Sequence, residues 1–256
     1  MTVFYFTSTG NCLSVAKKIG GDGAKLVSIP QVIGKPGLSF TDGVIGVVFP
    51  IYGFGLPKMV AKFLETAKFQ GSYMFAVGTY GNLPGACMEN VQRLARRHGY
   101  KFDYAESLLM VDNYLPNFDI NDQIAKLPEK RVDENLNRII ADIQNRKTFK
   151  ASAGFGRRIM TAMIQSGENL LLNGKQAQRY IINQNCNRCG TCAKVCPAGN
   201  ISVSEKVIFA DRCEGCLGCV HLCPQNAIHL KNEKNAARWL NPDVPLKEMI
   251  AANNRK

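Results

Sequence analysis

The sequence predicts an α/β protein, a doubly wound parallel sheet of five strands, followed by a second, smaller α+β domain organised around cysteines. Two observations carry this. Over residues 1–111 short apolar runs alternate with segments of helical periodicity, and over 186–230 one cysteine pattern occurs twice with an offset of 27.

The apolar runs are Val3–Phe6, Leu26–Ile29, Val44–Phe49, Tyr73–Val77 and Leu108–Val111. Several are almost continuously apolar, as strands covered on both faces should be. Helices are predicted between them. Leu13, Ala16 and Ile19 recur at helical spacing, Pro57 precedes Met59, Val60, Phe63 and Leu64, and Val91, Leu94 and Ala95 repeat the pattern. Leu136, Ile139, Ile140 and Ile143 suggest a closing helix. The boundaries read as 1–149 for the sheet domain, 150–181 for a connector helix, 182–235 for the cysteine domain and 236–256 for a polar tail expected at the periphery. In the connector, Phe155, Ile159, Met163, Ile164, Leu170 and Leu171 stand at near-helical spacing and are expected to pack across both domains. A basic amphipathic helix lying on a membrane surface is the lesser alternative.

Eight of the ten cysteines fall between Cys186 and Cys223, in two runs of C-x2-C-x2-C-x3-C-P. Zinc would more often use two C-x2-4-C pairs held apart by a spacer. Three thiolates on one tight loop can instead each reach a different iron of a cubane. The region resembles the bacterial two-cluster ferredoxins over its whole length. That resemblance implies two [4Fe–4S] clusters, with the fourth cysteine of each run serving the other cluster. One cluster would then take Cys186, Cys189, Cys192 and Cys223, the other Cys213, Cys216, Cys219 and Cys196. Gly190, Gly215 and Gly218 would let backbone N–H groups approach the sulfurs. His221 and His229 are not needed as ligands. Cys12 and Cys87 stand apart and read as small residues of the first domain, with redox activity the lesser alternative.

After the first strand comes Thr7-Ser8-Thr9-Gly10-Asn11-Cys12, then a helix. Hydroxyls and backbone N–H groups at a helix N-terminus make an anion site. Neither G-x-x-x-x-G-K-[ST] nor G-x-G-x-x-G is present, which argues against a triphosphate loop and a Rossmann dinucleotide site. The T-x-T-G-N loop resembles the FMN-phosphate loop of flavodoxins. The resemblance covers roughly 1–145 and implies sheet order 2-1-3-4-5, with FMN at the switch point. It implies that Thr7, Ser8, Thr9, Gly10 and Asn11 grip the phosphate, with Cys12 where flavodoxins commonly have threonine. Pro50–Pro57 and Thr79–Gly85 fall where flavodoxins place the loops around the flavin ring. Pro50, Tyr52, Gly53, Thr79, Tyr80 and Gly81 are the candidates there, the two tyrosines as stacking residues or as loop anchors. Asp112–Pro116 could close the same rim. The phosphate and ring loops hold no Asp or Glu, so a flavin potential that is not extremely low is expected.

Together the halves look like the flavodoxin–ferredoxin fusion proteins of anaerobic microbes. The leading function is electron transfer between FMN and two [4Fe–4S] clusters, coupling one-electron and two-electron partners. The rival is an FMN-dependent reductase of a small substrate, fed by its own ferredoxin domain. A nucleic-acid-binding sensor is a weaker third, with no recognition helix or aromatic platform to support it. The formal charge of +12 could meet acidic proteins, anionic lipid or nucleic acid, and charge alone does not choose among them; redox protein partners are expected. No stretch reaches the roughly 18 apolar residues of a membrane span, and no signal-like core precedes Val3. The expected setting is cytoplasmic and oxygen-poor.

Overall fold

The structure is a computed structural model and describes residues 1–171 and 174–255, without the side chains of 167–171. The predicted Leu170 and Leu171 contacts lie outside the described residues.

A six-stranded sheet organises the N-terminal half. Its strands are β1 (Thr2–Tyr5), β2 (Lys25–Ser28), β3 (Ser39–Pro50), β4 (Lys68–Tyr80), β5 (Tyr104–Leu109) and β6 (Phe149–Lys150), and their order is β2-β1-β3-β4-β5-β6. Every neighbouring pair is parallel. This is the flavodoxin-like order 2-1-3-4-5 with a short sixth strand added at the β5 edge. The sixth strand falls on the expected domain boundary, and its pairing is continued by Ala151 N–H donating to the Ala105 carbonyl (2.9 Å).

The helices of this half are α1 (Asn11–Gly20), α2 (Ile29–Val32), α3 (Lys58–Thr66), α4 (Cys87–Arg97), α5 (Ile120–Ala125), α6 (Leu127–Lys130) and α7 (Val132–Gln144). Along β1, Val3 and Tyr5 face a core shared with α1 and α7, while Phe4 and Phe6 face one shared with α3 and α4. Burial on both faces explains the unbroken apolar run. The fifth strand begins four residues before the predicted Leu108, because Tyr104 and Ala105 are its inward residues and the polar Glu106-Ser107 interrupts the run. β3 and β4 also start earlier than predicted. Their first residues are largely polar and exposed rather than apolar, and Phe40 and Phe69 among them pack on Phe4 at ring-centroid distances of 4.5 and 5.9 Å.

The C-terminal half holds α8 (Phe155–Leu171), β7 (Ile181–Ile182), α9 (Thr191–Lys194), β8 (Ile201–Val203), β9 (Val207–Phe209), α10 (Gly218–His221), β10 (Ile228–His229) and α11 (Leu246–Asn253). β7 pairs antiparallel with β10, and β8 with β9. Each cysteine run thus leads through one short helix into one short strand.

Two expectations are corrected. Among the described residues the connector leaves most of its apolar stripe uncovered: Phe155 and Met163 are 77% and 71% exposed. α8 is held by polar groups instead. Thr161 Oγ1 accepts from the Ala86 N–H (2.9 Å), and Gln165 donates to the Phe54 carbonyl (3.1 Å). The tail is not peripheral either. Trp239, Val244, Met249, Ala252 and Asn253 are buried, and Val244, Met249 and Ala252 join Val195 and Leu222 in the core beneath α1 and α7. Burial of one such side chain stabilises by roughly 1.5–3 kcal/mol, so the cysteine domain and tail are packed onto the sheet domain.

Candidate functional site

The loop after β1 is built to receive an anion. Gly10 takes φ +92°, turning the chain into α1, and its N–H donates to Thr7 Oγ1 (3.2 Å). A side chain there would meet Asn241 Cβ at 2.9 Å, so both conformation and space call for glycine. Thr9 Oγ1 accepts from the Asn113 amide (2.6 Å), and Ser8 Oγ accepts from the Tyr52 hydroxyl (3.0 Å). Each of the three hydroxyls therefore accepts one bond and keeps its own hydrogen to donate. Among the described residues no side chain caps α1 and no acid sits in its first turn. The first N–H groups and the positive end of the helix dipole are thus left for a ligand.

Asn11 behaves differently from its expected role as a phosphate ligand. Its amide donates to the Val111 carbonyl (3.4 Å), and its Oδ1 accepts from Trp239 Nε1 (3.0 Å) and from Asn241 (3.2 Å). The side chain is committed to the tail, leaving its backbone N–H in the first turn of α1. The tail also grips the loop through the Asn241 N–H on the Thr9 carbonyl (2.9 Å) and the Asn253 amide on the Thr7 carbonyl (3.0 Å).

The loop opens into a cavity of about 340 Å³, within the roughly 300–1,000 Å³ usual for cofactor sites. Eleven of the twelve residues predicted from the flavin resemblance line it: Thr7, Ser8, Thr9, Asn11, Cys12, Pro50, Tyr52, Gly53, Thr79, Tyr80 and Gly81. Gly10 does not. Asp112, Asn113 and Tyr114 line it too, and Leu115 is buried beneath the rim. The buried Lys130 ties the Tyr80 and Asp112 loops together, donating to the carbonyls of Gly81 (3.1 Å) and Met110 (2.6 Å) and to Gln123 Oε1 (2.7 Å). Burial pushes the Lys130 ammonium down and the Asp112 carboxyl up. Cys12 lies in the core with its thiol on Thr79 Oγ1 (3.2 Å), and burial pushes it up to about 12.

The eight clustered cysteines gather at two places. Cys186, Cys189, Cys192 and Cys223 line one small cavity, and Cys196, Cys213, Cys216 and Cys219 line another. Backbone N–H groups point at the sulfurs: Asn200 at Cys196, Gly215 at Cys213 and Ala227 at Cys223, each at 3.3 Å. Gly218 lies between Cys216 and Cys219, and a Cβ there would stand 3.0 Å from the Ser8 carbonyl oxygen. The cysteine loop and the anion loop touch at this glycine. Burial, with neighbouring thiols adding to it, raises Cys216 and Cys219 well above the usual thiol range. Bare thiolates are disfavoured there, and metal cations would supply the compensating charge. Cys189 is lowered instead, chiefly by the Thr191 hydroxyl (3.3 Å), with the charge of Lys194 adding a smaller part.

The second cysteine site is also a wall of the large cavity. Glu214, Gly215, Cys216 and Leu217 line it opposite the flavin-type loops. Glu214 accepts from the Met59 N–H (3.3 Å) at the start of α3, and burial raises its carboxyl. The cavity wall thus carries two carboxyls, Asp112 and Glu214, where the loops themselves carry none. His221 is a buried joint, and burial lowers it to about 4.

A family profile described as a 4Fe-4S dicluster domain matches residues 178–224. The C-terminal region is a 4Fe-4S dicluster domain. No curated protein matches the chain. Among solved structures, the Trp repressor binding protein of Bacillus subtilis aligns with 14% identity and a TM-score of 0.35, covering 54% of this chain and 96% of that one. The dicluster domain supplies what sequence reasoning missed in the cavity. Glu214 and Leu217 arrive there from more than a hundred residues away, and Phe54 and Ile164 complete the apolar side. Among the described residues no helix is long and apolar enough to cross a membrane.

Proposed function

We propose that the protein is an electron-transfer protein that holds FMN in the large cavity and two [4Fe–4S] clusters in its dicluster domain, and couples one-electron partners to two-electron ones. The outer cluster takes Cys186, Cys189, Cys192 and Cys223, and the inner one takes Cys213, Cys216, Cys219 and Cys196. Bound FMN supplies a centre that takes one or two electrons, whereas each cluster carries one. The observation that carries this reading is Cys216, which lines both the inner cysteine cavity and the flavin-type cavity. A chain that places both sites on one side chain keeps them at fixed separation, so internal transfer does not wait for an encounter. The protein's own part is to hold the phosphate with Thr7, Ser8, Thr9 and the α1 N-terminus, to wall the ring with Tyr52 and Tyr80, and to exclude water with Phe54, Leu217 and Ile164.

The pair Asp112 and Glu214 favours a second reading, an FMN-dependent reductase. Both carboxyls line the cavity, and burial raises both, the direction that a proton-holding group needs.

The deciding experiment is cofactor content after anaerobic purification. About eight irons, eight sulfides and one FMN per chain are expected. Full iron with no flavin, even after reconstitution, would remove the flavin from both readings. Turnover of a small substrate beyond generic acceptor dyes would favour the reductase.

A further inference from the structure

The two cysteine sites differ in exposure. Cys216 and Cys219 are turned inward, whereas Cys189 is exposed. The outer cavity meets solvent beside Arg188 and has Val203 and Val207 of the β8–β9 hairpin as its far wall. Arg188 Nη1 donates to the Glu205 carbonyl (3.4 Å), which lays the guanidinium between the cysteine loop and the hairpin turn. Lys194 is exposed at the end of α9, whose first residue, Thr191, has its hydroxyl 3.3 Å from the Cys189 sulfur. Lys206 is exposed on the hairpin turn beside Glu205. Among the described residues the outer cavity is lined by no Asp or Glu. Arg188 on the cysteine loop, Lys194 at the end of α9 and Lys206 on the hairpin turn thus set three exposed cations on the segments that wall this cavity, against the single carboxylate Glu205.

We propose that this face is the docking surface of a small acidic electron-carrier protein, which exchanges single electrons with the outer cysteine site. The inference rests on the reading that this site holds a [4Fe–4S] cluster. In the exchange one electron leaves the carrier's reduced centre, which is oxidised by one, and the outer cluster is reduced by one. No bond is made and no proton moves, and the reverse exchange balances in the same way. Charge and exposure agree on this face. The exposed Cys189 gives a carrier its closest approach, and the basic rim steers an acidic partner toward it while opposing a basic one. Among the described residues the rim carries no aromatic platform for stacking bases, so a protein fits it better than a nucleic acid.

The test uses the iron-loaded full chain, an acidic plant-type [2Fe–2S] ferredoxin as probe and basic cytochrome c as control. Calorimetry at low and at physiological salt should show binding of the ferredoxin that weakens with salt. A Lys194→Glu, Lys206→Glu double variant with native iron content should lose about tenfold in affinity. Carbodiimide coupling should join the carrier's carboxylates to Lys194 or Lys206. Unchanged affinity in the variant, tighter binding of cytochrome c, or cross-links around the mouth of the large cavity would overturn the proposal. Should the double variant lose iron, Lys194→Gln and the salt series on the native chain decide in its place. The binding measurement needs no flavin. A chain that lacks FMN yet couples through Lys194 sinks the flavin reading and leaves this surface standing. A chain with all cofactors that couples elsewhere does the reverse.

Discussion

His221 donates from Nε2 to the carbonyl oxygen of Asn113 at 2.7 Å, while its Nδ1 accepts from the Trp239 N–H at 3.1 Å. One neutral imidazole thereby joins three segments: the cysteine helix α10, the rim of the large cavity and the start of the tail. Asn113 in turn donates to Thr9 in the anion loop, and Trp239 donates to Asn11. Replacing His221 with Leu leaves a buried carbonyl and a buried N–H unpaired, which costs about 1–3 kcal/mol for each. The iron-loaded variant should unfold at a clearly lower denaturant concentration than the native chain. His221→Gln, which keeps an amide donor, should lose less. Equal midpoints for Leu and native would show that the joint contributes nothing.

Lys130 holds the Tyr80 loop against the Asp112 rim. Its ammonium is surrounded by two carbonyls and the Gln123 side chain, with Asp112 nearby. Lys130→Met keeps the stem and removes the charge, leaving the Gly81 and Met110 carbonyls unpaired and Asp112 without its cation, while Gln123 Oε1 keeps the Asp112 N–H. A loss of about 3 kcal/mol is expected. Because the rim carries Asp112 and the Tyr80 loop carries Gly81, FMN affinity should fall as well. Flavin fluorescence titration of the flavin-free variant checks it, and native affinity would mean that the loops hold their places without the lysine.

The sheet domain was legible because its signals are local. Val3–Phe6 is buried on both sides and so reads as an unbroken run, and the Thr7–Asn11 loop carries its chemistry within five residues. The cysteines were legible because cluster ligation dictates their spacing. The remaining walls of the cavity were not, since Glu214, Leu217 and Ile164 come from segments with no local mark of where they pack. The tail misled for a physical reason. Asn241 and Asn253 look like solvent-facing residues, but both are buried and spend their amides on Asn11 and on the Thr7 carbonyl. The connector misled in the opposite sense, because Thr161 and Gln165 make its contacts while Phe155 and Met163 stay exposed.

Cys12 and Cys87 are the two cysteines outside the cluster runs, and both are buried with thiols pushed up to about 12. A raised thiol pKa means that the reactive thiolate forms only as the pH climbs toward that value. At pH 8 the ionised fraction is on the order of one in ten thousand. In the native, iron-loaded chain iodoacetamide should therefore leave both unmodified, and denaturant should expose both. Mass spectrometry of digested protein reads this directly. Rapid labelling of either residue in the native chain would restore the idea that it takes part in redox chemistry.

The tail holds the anion loop in its receptive shape, and this can be separated from simple packing. Trp239→Phe keeps most of the buried ring but removes the Nε1–H bond to Asn11, at a cost of about 1 kcal/mol. A chain ending at Arg238 removes that bond, both bonds from Asn241 and the Asn253 bond to Thr7, and it uncovers the core that Val244 and Met249 close. The point variant should bind FMN a few-fold more weakly with little change in iron. The truncated chain should lose flavin on gel filtration while the cysteine domain retains iron, since no cysteine lies beyond Cys223. Iron and flavin lost together would show that the tail supports the whole chain. Flavin retained by the truncated chain would show that Thr7, Ser8, Thr9 and the α1 N-terminus hold the phosphate unaided.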